Sequence, residues 1–282
     1  MRWLLLALLF SACQRAPRRG TRFVEDGLGR SVRVGHVQRV VSLAPSSTEI
    51  VYALGAGDRL VGVDRYSDWP EAARKVTQVG TDMEPSLERM VALHPDLVLV
   101  ATTANAQRGV ETMGSVGLTV YVSRADSLEQ IFGDIEGIGR ALERSAAATV
   151  LVADLRARVA KVPRRTQPVP CAVVVWPAPL VVAGRGNHVD DVLRVAGCRN
   201  VVDDASQPFP TYSTERLVKK APEVLFVGTH TSSAPSLDSL LALDSIPAVK
   251  HHRVHTIDGD LLFRPGPRVV EGIESLASLL EP

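Results

Sequence analysis

The 282-residue chain carries 32 basic and 31 acidic residues, a formal charge of +1 at pH 7, with 45% apolar and 5% aromatic residues. That balance excludes a dedicated nucleic-acid binder, which needs a basic excess, and the apolar fraction is that of a core-forming protein rather than a disordered one. The length is sufficient for two domains or for one large one.

The first thirteen residues, MRWLLLALLFSAC, hold one Arg, an apolar run from Trp3 to Phe10, small residues and then Cys13. The run is far shorter than the roughly 20 residues that span a bilayer, so the segment reads as an export signal. A cysteine directly after Ser-Ala resembles a bacterial lipobox, whose thiol is acylated and becomes the new N-terminus; an ordinary signal peptide with an incidental Cys is the alternative. Residues 14–38 follow as a polar tether, QRAPRRGT, and a small β-hairpin, FVEDGLGRSVRV, that alternates around a Gly-containing turn.

From Arg39 strands and helices alternate. RVVSL, RLVGVD, DLVLVAT and TVYVS read as strands, with helices at APSSTEIVYALG, LERMVALHP and GVETMGSVG. Strands that are apolar throughout and separated by helices predict a parallel sheet covered on both faces, so residues 39–126 form a first α/β lobe. Residues 127–165 read as a helix pair, and the stretch from Ser145 to Val162 holds no proline and keeps helical spacing. Alternation resumes over 166–282 with CAVVVW, HVDDVLRVAG, NVV, TERLVKKAP, EVLFVG, SLDSLLAL, RVHTID and PRVVEGIESLASLL. The fold class is therefore α/β, two parallel-sheet lobes joined by a long helix. After the export signal, Cys171 and Cys198 are an even pair in an oxidising compartment. Each precedes a strand, so parallel pairing puts both sulfurs at one end of the sheet and predicts a disulfide, since two isolated cysteines do not close a metal shell.

One phrase occurs twice. ERMVALHPDLVLV at 88–100 nearly recurs as ERLVKKAPEVLFV at 215–227. Ser86 and Ser213 are placed to cap the two helices, an acid in the first turn suits the positive end of the dipole, and Pro95 and Pro222 end them. A favourable helix–strand joint explains the proline, the following acid and the apolar run, but not a Glu-Arg opening in both copies. Glu88 and Glu215, one on each lobe, suit a partner with two matching basic sites.

Three segments, RVVSLAPSSTEIVYALGAGDRLVGVDRYSDWPEAARKVTQVG, PSLERMVALHPDLVLV and FRPGPRVVEGIESL, resemble the periplasmic substrate-binding proteins of vitamin B12 and iron-siderophore ABC importers. The likeness covers nearly all of the chain after the hairpin. It implies two lobes on a rigid interlobe helix, a ligand held in the cleft between them, no enzymatic activity and no cofactor. It also implies a monomer whose Glu88 and Glu215 dock on arginines of a membrane permease dimer that works with its ATPase, while the lipobox-like Cys13 supplies the lipid anchor.

Ligand clefts of such sheets are lined by loops at the carboxyl ends of strands. In the first lobe that places Pro45, Ser46 and Ser47, Tyr66, Thr81 to Met83 and Thr102 to Asn105 in the wall. In the second it places Trp176 with Pro177, Gly184 to His188, Gln207 to Tyr212 and Asp258 to Arg264. YSDWP resembles the B12-binding branch most closely, which implies cobalamin or a related corrinoid. By that resemblance Tyr66, Trp176 and Phe209 pack on the corrin ring and its nucleotide tail, while Asp260 and Arg264 bond its amide periphery. Two cleft tryptophans of that branch align here with Asp82 and Thr102, and another with Phe209. The reduced stacking surface keeps a ferric siderophore or haem as alternatives, with Arg264, Arg185 and Arg65 suited to anionic groups.

Other chemistries fit less well. His251, His252 and His255 crowd together, but no further ligand completes a metal shell, and the cluster reads as a solvated loop before a strand. GAGDRLVG follows a helix and leads into a strand, the wrong order for a dinucleotide loop, and there is no G-x-S-x-G elbow. A chelatase-like enzyme on a similar bilobal fold, and a surface-anchored binding module with no transporter, are the competing classes.

Overall fold

The computed structural model describes residues 20–102, 106–229 and 237–281; the export signal with Cys13, and the expected cleft residues Thr103, Ala104 and Asn105, lie outside them. A hairpin of β1 (Arg22–Glu25) and β2 (Ser31–Val34) precedes the first lobe. It docks on that lobe through Asp26, whose carboxylate accepts from the Val122 amide at 3.2 Å and from Arg30 Nε at 3.0 Å. Gly27 makes the approach possible: a Cβ there would stand 2.5 Å from the Arg124 Cβ.

The first lobe holds β3 (Val40–Ser42), α1 (Pro45–Ala53), β4 (Leu60–Val63), α2 (Leu87–Ala92), β5 (Leu97–Ala101), α3 (Ala106–Ser115) and β6 (Val120–Ser123). Its strands are parallel, in the order β4-β3-β5-β6. The continuous apolar text of β5 follows from burial on both sheet faces: Leu97, Val98 and Leu99 are fully buried.

Two helices then cross to the second lobe, α4 (Leu128–Ala141) and α5 (Ser145–Lys161). The 17 residues of α5 give a rod of about 25 Å. Its start is tied to the first lobe, where Arg144 donates to the Gly55 carbonyl at 3.1 Å. Its end is tied to the second, where Arg158 makes a two-pronged ion pair with Glu274 at 2.9 and 2.6 Å and Arg165 bonds the Leu280 carbonyl.

The second lobe comprises β7 (Val169–Pro177), β8 (Leu180–Val182), α6 (His188–Ala196), β9 (Cys198–Asn200), α7 (Thr214–Lys220), β10 (Val224–Thr229), α8 (Asp238–Leu241), α9 (Pro247–Lys250), β11 (Val254–Asp258), α10 (Gly259–Phe263) and α11 (Val269–Leu279). The order β11-β10-β7 is parallel, and β9 pairs parallel with the amino half of β7. The structure departs from the all-parallel expectation at β8, which folds back antiparallel on the carboxyl half of β7. Three residues are too few to show a period in sequence, so the strand reads as loop text.

Cys171 and Cys198 are disulfide-bonded across the β7–β9 pair, with Cα atoms 5.7 Å apart. One apolar cluster runs without a break from Val40, Ile50 and Leu97 of the first lobe through Ile131, Ile138 and Leu155 of the crossing helices to Phe226, Val269 and Ile273 of the second. Such a shared core resists independent motion of the lobes.

Candidate ligand-binding cleft

A cavity of about 480 Å³ opens between the lobes at the carboxyl ends of their strands. Ser46, Ala101, Thr102 and Ser123 line it from the first lobe, Ala125 and Asp126 from the loop into α4, and Asp134 from α4 itself. Val175, Asn187, His188, Pro208, Phe209, Phe263 and Pro265 line it from the second. Asp82 and Met83 line an adjoining first-lobe cavity of about 470 Å³ that shares Ala101 with the cleft.

Of the expected ligand residues, Ser46 and Phe209 line the cleft. Ser47 is fully buried beneath it, 3.1 Å from the Ser123 hydroxyl. Tyr66 and Trp176 are 56% and 36% exposed and stand outside the lining; the Trp176 indole N–H donates to the Ala178 carbonyl at 2.9 Å. Asp260 and Arg264 do not line the cavity either but belong to a cross-lobe ion cluster, Arg264 Nη2 lying 3.0 Å from Asp260 and Nη1 2.7 Å from Asp68 of the first lobe. In the same cluster Arg268 grips Glu49 with two hydrogen bonds of 2.9 and 2.6 Å, and burial raises the Glu49 carboxyl above the usual range despite that partner.

Sequence reasoning passed over Ser123, Asp126 and Asp134. Ser123 ends β6 and was open to the strand-end rule. Asp134 carried a different signal, an acid on the face of α4 that also presents Ile131, Ile135 and Ile138. Its carboxyl accepts from the Tyr121 hydroxyl at 3.2 Å and, stripped of water, is pushed up to about 7; Asp26 faces it with like charge. Gly137 lets that tyrosine reach, since a Cβ there would lie 2.1 Å from its oxygen.

His188 is buried and donates Nε2–H to the Leu262 carbonyl at 2.8 Å, so its ring braces α6 against α10; burial lowers its pKa. Asn187 caps α6, accepting from the Val189 and Asp190 amides, and its amide nitrogen holds Pro208 of the opposite loop at 2.8 Å. Of the histidine cluster, His251 and His252 are exposed in a turn and His255 lies beside the Phe226 ring. Among the described residues no set of three or more His, Cys, Asp or Glu is placed to hold a metal.

The repeated phrase folds alike in both lobes. Ser86 and Ser213 cap α2 and α7 by accepting from the amides of Arg89 and Arg216. Both helices end in a left-handed residue before the proline, His94 with φ 44° and Ala221 with φ 46°. Glu88 and Glu215 stand exposed in the first turns. The Glu215 carboxyl is held below its ordinary value by its own backbone N–H and the Ser213 hydroxyl.

A family model described as periplasmic binding protein matches residues 40–261. The chain belongs to that family. A vitamin B12-binding protein of Vibrio vulnificus is 31% identical over 249 residues, covering 87% of this chain and 91% of that protein. An uncharacterised ABC transporter substrate-binding lipoprotein of Bacillus subtilis is 32% identical over 270 residues, covering 92% and 85%. A solved structure of a periplasmic haem-binding protein from Roseiflexus superposes with a TM-score of 0.74 at 26% identity, covering 86% of this chain and 97% of that one. The chain is thus a solute-binding protein of the ABC-importer type and not an enzyme.

Proposed function

We propose that this solute-binding protein is exported, anchored by lipid at Cys13, and captures a corrinoid, cobalamin or a close relative, between its lobes for delivery to an ABC permease. The observation that carries the choice of ligand is the charge of the cleft. Among the described lining residues there is no Lys or Arg; there are three hydroxyls, an amide, one buried histidine, two phenylalanines and two acids. The arginines suited to an anionic ligand are engaged or outside the lining: Arg264 with Asp68 and Asp260, Arg185 3.6 Å from Asp203, and Arg65 exposed. Such a cleft suits a ligand with an apolar ring and an amide rim better than haem propionates or a charged siderophore.

Delivery rests on Glu88 and Glu215. Each is an exposed acid at the same place in an equivalent helix, one on each lobe, and they suit paired arginines on a permease dimer. Calorimetric titration of the purified protein with cyanocobalamin, dicyanocobinamide, hemin and a ferric hydroxamate tests the ligand. Tight one-to-one binding of a corrinoid and weak binding of hemin is the expected result; preference for hemin or the ferric chelate overturns the corrinoid assignment.

A further inference from the structure

Arg264 stands between two cleft residues, Phe263 and Pro265, yet it does not line the cleft itself. Its side chain is 14% exposed. Nη1 donates to Asp68 Oδ1 at 2.7 Å, across 196 residues of chain, and lies 3.7 Å from Glu49; Nη2 is 3.0 Å from Asp260. One turn on, Arg268 is bound to Glu49 and lies over the Trp69 ring at 4.7 Å. Asp64 is buried at the start of the same loop as Asp68. Arg74 reaches the other Asp68 oxygen at 3.7 Å from the solvent side. Arg264 and Arg268 are therefore set among four acids, Glu49, Asp64, Asp68 and Asp260.

These acids are not equivalent. Glu49 is committed to Arg268, and Asp260 shares α10 with Arg264 and moves with it. Asp68 is the acid on the opposite lobe that meets Arg264 at hydrogen-bond distance, and it sits after β4 in the loop that also carries Tyr66. We propose that Asp68 is a specificity-determining residue: by holding Arg264 across the lobes it neutralises a guanidinium adjoining the cleft and so discriminates against anionic ligands. The inference rests on the interlobe cavity being the ligand site, and it refines the corrinoid reading by naming what rejects the competitors. A carboxylate ligand entering the cleft meets a cation whose field is cancelled at contact distance. The same acid closes the lobes on each other, so it serves the position of Arg264 as well as its charge.

The test compares the full-length wild type with Asp68→Asn and Asp68→Glu, each checked by circular dichroism and titrated calorimetrically with hemin, a dicarboxylate, and with cyanocobalamin. Asp68→Asn is expected to raise hemin association at least tenfold and to raise the hemin-to-cyanocobalamin ratio by as much, while Asp68→Glu keeps the wild-type ratio. A purely structural clamp predicts that both affinities fall together in Asp68→Asn, and that result overturns the proposal, as does hemin affinity unchanged within twofold. Asp68→Ser removes the same charge and is read in the same way if the Asn variant does not fold. Should the wild type fail to bind cyanocobalamin, the corrinoid reading falls while hemin association alone still decides the role of Asp68. Tight hemin binding by the wild type overturns it.

Discussion

Replacing Asp134 by Asn is expected to stabilise the protein by an amount that grows with pH. Burial against Ile131, Ile135 and Ile138 takes water from the carboxyl, and desolvation moves its pKa from 3.8 to about 7. An acid shifted upward binds more protons folded than unfolded between those two values, so its contribution to stability is greatest at low pH and is lost as pH rises through the window. For that shift, linkage gives a penalty of about 1 kcal/mol at pH 4.5 and about 4 kcal/mol at pH 8. Asn has the same shape, cannot ionise, and keeps an oxygen for the Tyr121 hydroxyl. The stability difference between Asp134→Asn and wild type should therefore increase by roughly 3 kcal/mol from pH 4.5 to pH 8, measured by urea unfolding at matched ionic strength. A difference that stays constant across that range refutes the reasoning, because it would mean that Asp134 ionises in the folded protein as it does in the unfolded chain.

Glu49→Ala should lower stability by about 3 kcal/mol, since it strands the Arg268 guanidinium without its carboxylate, and for a chain of this length that is roughly 5 °C in melting temperature. The paired change Glu49→Leu with Arg268→Met should recover most of the loss in a calorimetric scan; a fall below 1 °C in the single variant contradicts the cross-lobe clamp. Removing the Cys171–Cys198 bridge, which joins residues 27 apart, should destabilise by about 3.5 kcal/mol from loop entropy, read as a lower urea midpoint in Cys171→Ala/Cys198→Ala. Charge reversal at both docking acids, Glu88→Lys with Glu215→Lys, should abolish ligand uptake by cells with solution affinity unchanged within twofold. Normal uptake by that variant contradicts permease docking.

Much of the architecture was legible because burial dictates residue type. Strands covered on both faces must be apolar throughout, which is why β5, β7 and β10 stood out, and α5 emerged within a residue of the proline-free run that announced it. The duplicated phrase carried its cap, its first-turn acid and its terminal proline in plain text, and the folded helices repeat even the left-handed end. Side-chain direction was less accessible. Tyr66 follows a strand as the cleft rule requires and Trp176 lies in the last residues of β7, yet a residue's place at a strand end does not fix where its ring points, and both stand outside the lining. The capture of Arg264 by Asp68 joins positions 196 apart, and no local period encodes it. Asp134 was different: an acid among isoleucines on a core-facing stripe is a visible anomaly, and its neighbours in sequence name its environment.

The central claim is that a corrinoid sits between the lobes, and locating cobalt tests it most directly. Crystals of the protein grown with cyanocobalamin, measured at the cobalt absorption edge, should show one anomalous peak per chain in the cleft between Ser46 and Ser123 on one side and Phe209 and Phe263 on the other. A cobalt peak elsewhere on the molecule, or none at saturating ligand, contradicts the account.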